Sequence, residues 1–476
     1  MDKQFLFDCI DEKSDILFDL SDRIWEYAEL SMAEFKSAES YCDLMEREGF
    51  TVQRNLCGIP TAFSGSFGSG KPVIGILGEF DALSGLSQVA GATEHQPLKE
   101  GGCGHGCGHN LLGAGSLGAA MAIKAAIETG RLSGTVIFYG CPGEEGCAGK
   151  TFMARDGMFR DLDAALCWHP DDVNEVTTGS NAASLQMEYT FTGIAAHAAG
   201  NPWTGRSALD AAELMNVGVQ FLREHMPPKS SVHYSFLDAG GISPNVVQPT
   251  AKLIYMVRGE TVQKAKMLLK RVNNIAKGAA LMTDCQVSYR QIDGTASTVS
   301  NTVLEEVLYA NLRTVPLPIY SEDDEVFAKA LRASYDCSRL PGSRVYEDYR
   351  LQAYVAEKTA NGTLPLNNFV IPYAPSNTYS AGSTDVGDVS WLTPTAQISA
   401  VTWPSGIPGH SWQVVATGKS DIAHKGIALA ARVLAGAAAD LMENPRLLQK
   451  AREEFKLATA EGYDCPIGPE VVPTVG

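Results

Sequence analysis

The segment GGCGHGCGHNLLG, residues 101–113, sets two cysteines and two histidines among glycines. It runs directly into LLGAGSLGAAMAIKAAIETG, a small-residue apolar stretch of helical character. Cys107 and His109 stand two residues apart where that helix must begin, and a helix N-terminus favours a thiolate. Cys103 and His105 lie farther from the helix start. By itself the loop reads equally well as half a metal site and as a glycine-rich turn with incidental thiols. A metal ion needs more ligands than one loop can aim at a point, so the rest of the chain must supply them.

Side chains of the right type follow at the ends of apolar runs. KPVIGILGEFDAL ends in Glu79 and Asp81, GTVIFYGCPGEEG in Glu144 and Glu145, and DAALCWHP in His169. His410 stands far along the chain in the Pro/Gly loop GIPGHSW, where alone it carries little weight. Each run reads as a buried strand, and in open α/β sheets ligands gather beyond the carboxyl ends of strands. One sheet edge thus collects thiolate, imidazole and carboxylate, a mixture that suits Zn or Mn. Glu144 and Glu145 are adjacent, so their side chains point apart and cannot share one task. One can hold a metal while the other accepts a proton from a water whose pKa the metal lowers toward about 7.

The elements that must position these residues follow from periodicity. Residues 11–49 alternate charged and apolar positions at helical spacing and stop at Gly49. Strands then alternate with helices, which predicts an α/β catalytic domain with a mostly parallel sheet flanked by helices. Residues 184–295 read instead as β-α-β-β-α-β, a ferredoxin-like unit inserted into the first domain. The expected division is 1–183 and 296–476 for the catalytic domain, with 184–295 between them. Residues 316–380 hold Pro, Asn and Gly clusters and are the least readable part.

Composition narrows the function classes. With 476 residues, 45% hydrophobic and 20% charged, the chain can bury a sizeable core. A formal net charge of -17 argues against nucleic acid or an anionic membrane as partner. Eleven cysteines at irregular spacing, with no secretory pattern in MDKQFLFDCI, fit free thiols in a cytoplasmic chain. The apolar stretch 426–442 carries Arg432 and Asp440 and reads as a packed helix, not a membrane span.

Seven motifs in order, GEFDAL, GHGCGHN, GCPGEEG, CWHP, GIAAHAA, GGISPNVV and GIPGHSW, resemble the two-metal amidohydrolase family of aminoacylases, carboxypeptidase G and indole-acetyl-amino-acid hydrolases. The resemblance spans nearly the whole chain. It implies a zinc-exopeptidase-like catalytic domain, a lid that also makes a dimer, and two divalent ions per subunit, Zn or Mn. It implies Cys107 as the bridging ligand, with His109, Glu145, His169 and His410 completing both sites, and Glu144 as general base. Asp81 would orient a metal-binding histidine. His197 would reach across the dimer to the oxyanion, and Asn245 and Arg258 would bind the substrate's carboxylate. The residue two before that Asp is usually His or Asp in the family; here it is Glu79. The motifs GRSALDA, GGISPNVVQ, STDVGDVSW and IAHKG resemble a subgroup acting on p-aminobenzoyl-glutamate, a folate breakdown product. The implied activity is hydrolysis of an N-acyl or N-aroyl amino acid, by a homodimer or by a heteromer with a related subunit. The competing readings are a dipeptidase or general N-acyl-amino-acid hydrolase, a partner subunit whose metal is structural, and a thiol enzyme using Cys107.

Overall fold

The computed structural model describes residues 1–335 and 339–474. Three helices open the chain: α1 (Gln4–Glu12), α2 (Ser14–Tyr27) and α3 (Phe35–Arg47). Strands β1 (Thr51–Arg54), β2 (Phe63–Ser69) and β3 (Val73–Gly78) follow, then helix α4 (His109–Glu128). Next come β4 (Gly134–Gly140), α5 (Gly149–Arg155), β5 (Ala164–Asp171), β6 (Glu175–Thr177) and the short β7 (Ser180–Asn181).

Residues 183–295 build a second sheet. Its elements are β8 (Ala183–Thr192), β9 (Ala196–His197), α6 (Ala208–Arg223), β10 (Ser231–Asp238), β11 (Val246–Val247), β12 (Thr250–Gly259), α7 (Val262–Met282) and β13 (Gln286–Thr295). The four long strands run antiparallel in the order β10-β12-β8-β13, and β9 pairs with β11 apart from them. Alternate strand residues such as Tyr189, Phe191, Leu253 and Tyr255 pack against α6 and α7 in a core of their own. β10 forms one edge of this sheet and exposes Tyr234, Phe236 and Leu237.

The chain then adds α8 (Thr302–Thr314), α9 (Glu322–Arg332), α10 (Tyr349–Lys358), β14 (Tyr379–Ser380), α11 (Val386–Ser390), β15 (Thr395–Val401), α12 (Trp412–Thr417), α13 (Asp421–Glu443) and α14 (Pro445–Ala458). β15 returns to the first sheet, whose seven strands run β1-β2-β4-β3-β5-β15-β6. The expectation of a mostly parallel sheet needs correction: the sheet is mixed. Its centre, β4-β3-β5-β15, is parallel, but β1, β2 and β6 pair antiparallel at the two sides. Short connections into the flanking strands allow antiparallel pairing, and apolar content alone does not distinguish the two kinds.

Glycine explains how closely α4 approaches the sheet. A Cβ on Gly115 would lie 2.8 Å from the Trp168 ring of β5, and Trp168 Nε1 donates to the Leu112 carbonyl at 2.9 Å. Both α4 and α13 are long and apolar enough to span a membrane by composition, yet both are mostly buried in the main core. The stretch 316–380 adds a small cluster, Val345, Leu351, Val355 and Ile371, packed on Val173 in the β5–β6 connection.

Candidate metal centre

The carboxyl ends of β3, β4 and β5 converge at one point. β3 delivers Glu79 and Asp81, the turn after β4 delivers Glu144 and Glu145, and β5 carries His169 near its end. The glycine-rich loop arrives beside them. Gly108 takes a left-handed φ of 73° as the N-cap of α4, and a Cβ there would fall 2.9 Å from Pro170. That turn sends Cys107 and His109 to the same edge. His410 comes from the other side. Its backbone N–H donates to the Gly106 carbonyl at 2.7 Å, and its φ of 59° is a conformation that a non-glycine residue holds only when its surroundings enforce it.

The donor atoms form two overlapping groups. Cys107, His109 and His169 offer ligand atoms within 4.8 Å of one another, and so do Cys107, Glu145 and His410. Cys107 belongs to both. A third group, Glu79, His109 and Glu144, shares His109 with the first. Two of the histidines are oriented from behind. Asp81 Oδ1 lies 2.9 Å from His109 Nδ1, and His169 Nδ1–H donates to the Pro170 carbonyl at 2.6 Å. Both rings therefore present Nε2 to the centre. His169 Nε2 is 3.3 Å from Cys107 Sγ, and His410 Nε2 is 3.4 Å from a Glu145 oxygen.

Buried polar atoms seldom lack partners. Here His109 Nε2 and Glu145 Oε1 are buried without a hydrogen-bond partner, and both belong to the converging donor set. A divalent cation would satisfy both. Electrostatics agree. Burial pushes the Cys107 thiol up. Burial and the Asp81 charge push Glu145 up to about 7. Burial raises the Glu144 carboxyl well above its ordinary range, and Glu79 and Asp385 raise it further. Burial also works against ionised Asp81, but its bonds with His109, the Glu145 backbone and Ser31 outweigh that and bring it down to about 2. A bound cation is the natural counter-charge for this crowd of acids.

The chain carries the family's sequence pattern. The model for peptidase family M20/M25/M40 matches residues 75–339. The chain belongs to this family. It is 42% identical over 480 residues to one of the subunits of the p-aminobenzoyl-glutamate hydrolase of Escherichia coli (strain K12), covering 99% of this chain and 98% of that protein. It is 28% identical to the Xaa-Arg dipeptidase of Mus musculus, covering 95% and 91% of the two chains. The fold is also that of the Bacillus subtilis YXEP protein, a dinuclear metal binding peptidase from M20 family. That match has a TM-score of 0.56 at 16% sequence identity and covers 91% of this chain and 99% of that one. The M20 chain is thus a hydrolase of amide bonds with a donor set that fits metal ions.

Of the residues singled out from sequence, Cys107, His109, Glu145, His169, His410, Glu144 and Asp81 come together. Arg258 stands at the rim: its Nη1 donates to Ser383 Oγ at 2.7 Å, and Ser383 lines the cavity. His197 and Asn245 lie elsewhere. They are neighbours on the β9–β11 corner, exposed, and not part of the cavity wall. Sequence reasoning missed the supports. Lys150 is fully buried, with Nζ 2.7 Å from Glu79 Oε1 and paired also to Asp385. Glu34 accepts from the Gly143 N–H at 2.9 Å, and Ser31 donates to Asp81 at 2.9 Å. These are single polar residues in ordinary contexts, with no spacing pattern to reveal them.

Proposed function

We propose that this M20 chain hydrolyses the amide bond of N-aroyl amino acids, with p-aminobenzoyl-glutamate as substrate and p-aminobenzoate and glutamate as products. The observation that carries the reading is the sharing of Cys107 between two ligand groups with the Glu144–Glu145 pair beside them. Cys107, His109 and His169 would hold one ion, and Cys107, Glu145 and His410 the other, either Zn or Mn. When bound, such ions supply a polarised water and an electrophilic hold on the carbonyl oxygen. Glu144 takes a proton from the attacking water as its oxygen bonds to the carbonyl carbon. It then delivers that proton to the leaving nitrogen as the C–N bond breaks. A purely structural metal would need no such carboxyl beside its ligands. Asp81 holds His109 in the tautomer that leaves Nε2 free.

Residues 184–295 act as a lid and dimerisation domain in this proposal, inserted between catalytic segments 1–183 and 296–476. His197 and Asn245 then belong to a site completed by another subunit, where His197 stabilises the oxyanion and Asn245 joins Arg258 on the substrate's carboxylate. The Escherichia coli relative is itself named as one subunit of its enzyme, which favours a heteromer with a related chain over a homodimer. A cytoplasmic location fits the free thiols, since every described cysteine is unpaired. The similarity to an Xaa-Arg dipeptidase along 95% of the chain supports a second reading in which dipeptides are cleaved. Incubation of the metal-loaded chain with p-aminobenzoyl-glutamate tests the choice. Release of p-aminobenzoate that a chelator abolishes is expected; cleavage of Xaa-Arg dipeptides without it would favour the second reading.

A further inference from the structure

The cavity beside the metal centre, of about 420 Å³, extends away from it along the first sheet, and its far wall is chemically distinctive. His169 on β5 pairs with Ser399 on β15, which in turn pairs with Glu175 on β6. Residues directly opposite one another project from the same face of a sheet, and two strand spacings amount to about 10 Å. Glu175 therefore looks into the same cavity as the metal ligand His169, one short rigid group away, and both residues line it. Glu175 as a whole is 6% exposed. The hydrogen bonds described for its carboxylate come from Ser343, whose backbone N–H lies 3.0 and 3.3 Å from the two oxygens. A carboxylate has about four acceptor positions, so capacity remains toward the cavity.

The rest of the wall gives direction. Among the described residues no lysine or arginine lines this cavity, whereas Asp171 and Glu305 do, with many hydroxyls. Such a wall repels the carboxylate of an amino acid and welcomes a hydrogen-bond donor. The cation suited to a carboxylate is Arg258, at the Ser383 rim. Ser343 is held in place by the 316–380 stretch. Gly342 before it has φ of 104° and sits so close to Ile371 that a Cβ would lie 2.5 Å from that side chain. Burial and Asp171 push the Glu175 carboxyl up to about 7, against the opposing pull of the nearby Arg344 guanidinium.

We propose that Glu175 is a specificity-determining residue whose carboxylate accepts a hydrogen bond from a para-amino group on the substrate's aroyl ring. The aroyl half then points along the sheet to Glu175, and the amino-acid carboxylate stays at the mouth beside Arg258. This rests on the proposed function, in which an aroyl amino acid is the substrate.

The test compares ligands that differ only in that amine. Calorimetry on the metal-loaded full chain measures p-aminobenzoate against benzoate, in wild type and in Glu175→Met, with Glu175→Gln as the milder variant. Hydrolysis of p-aminobenzoyl-glutamate against benzoyl-glutamate is followed in parallel. Wild type is expected to favour the amine about tenfold in binding and in kcat/KM, and Glu175→Met to bring both ratios near one. An equal affinity for the two acids in wild type, or a preference that survives in Glu175→Met, overturns the proposal. Amine-selective binding without hydrolysis of either amide supports the subsite and contradicts the hydrolase reading. Hydrolysis without amine selectivity does the reverse.

Discussion

Two regions of the molecule bear the residues expected to do chemistry, and they are built differently. At the metal centre the buried histidine rings are oriented from behind, His109 by Asp81 and His169 by the Pro170 carbonyl, and the Gly106 carbonyl holds the backbone of His410. Asp81 is itself anchored by Ser31 and by the Glu145 N–H. On the β9–β11 corner, His197 is exposed and its Nδ1 accepts only local bonds, from the Ala199 and Gly200 N–H groups at 3.2 and 3.1 Å. Asn245 contributes its backbone carbonyl to the Ala198 N–H and is likewise exposed. Geometry that must hold a cation is preorganised within the chain. In the proposed function His197 and Asn245 are instead left for a later encounter, with a moving lid or a second subunit.

Substitutions on each side break or sharpen this contrast. The largest effect is expected at Glu144. Glu144→Gln should lower kcat by up to about 10⁴-fold while metal content stays at the wild-type value, as steady-state rates and elemental analysis of the same sample would show. A rate near wild type would remove Glu144 from the mechanism. The next effect concerns stability. Lys150→Met removes the buried cation between Glu79 and Asp385, leaving Glu79 only His109 Nε2 at 3.3 Å and Asp385 only the N–H of residue 150, and urea unfolding should register a loss of about 3–5 kcal/mol. A loss below about 1 kcal/mol, on the scale of a surface ion pair, would show that this triad is not what holds α5 against the sheet.

His197→Ala should cost about 10²–10³-fold in kcat, with unchanged metal content. If His197 serves another subunit's site, mixing that variant with Glu144→Gln should restore activity in mixed dimers, since one site then combines an intact Glu144 with an intact His197. No recovery after subunit exchange would show that His197 does not serve the site of a second copy of this chain. The smallest effect is expected for Asp81→Asn, which keeps the shape but weakens the hold on His109. Metal affinity should fall about 10–100-fold in a competitive chelator titration.

The sequence conveyed one of these regions much better than the other. Apolar runs ending in GEFDAL, GCPGEEG and CWHP located three strand ends, and strands that end together bring their terminal residues together. Cys107 and His109 were legible because a glycine-rich turn before a helix constrains where they point. The side pairings of the first sheet were not legible, because an apolar run does not specify the direction of its neighbour. The supports Ser31, Glu34 and Lys150 come from distant segments, and a lone polar residue in a helix or loop has the same appearance whether it ends up buried or solvated. Asp385 shows the same limit: its partner Lys150 lies 235 positions away. The 316–380 stretch hid its role because Ser343 meets Glu175 through a backbone N–H, which every non-proline residue possesses.

The central claim is that Cys107 is shared by two ions. Anomalous diffraction from crystals of the full chain loaded with Zn, collected above and below the metal edge, tests it most directly. Two peaks per chain are expected, both against Cys107 Sγ, one beside His109 and His169 and the other beside Glu145 and His410. A single peak with four protein ligands, or peaks remote from Cys107, would contradict the account.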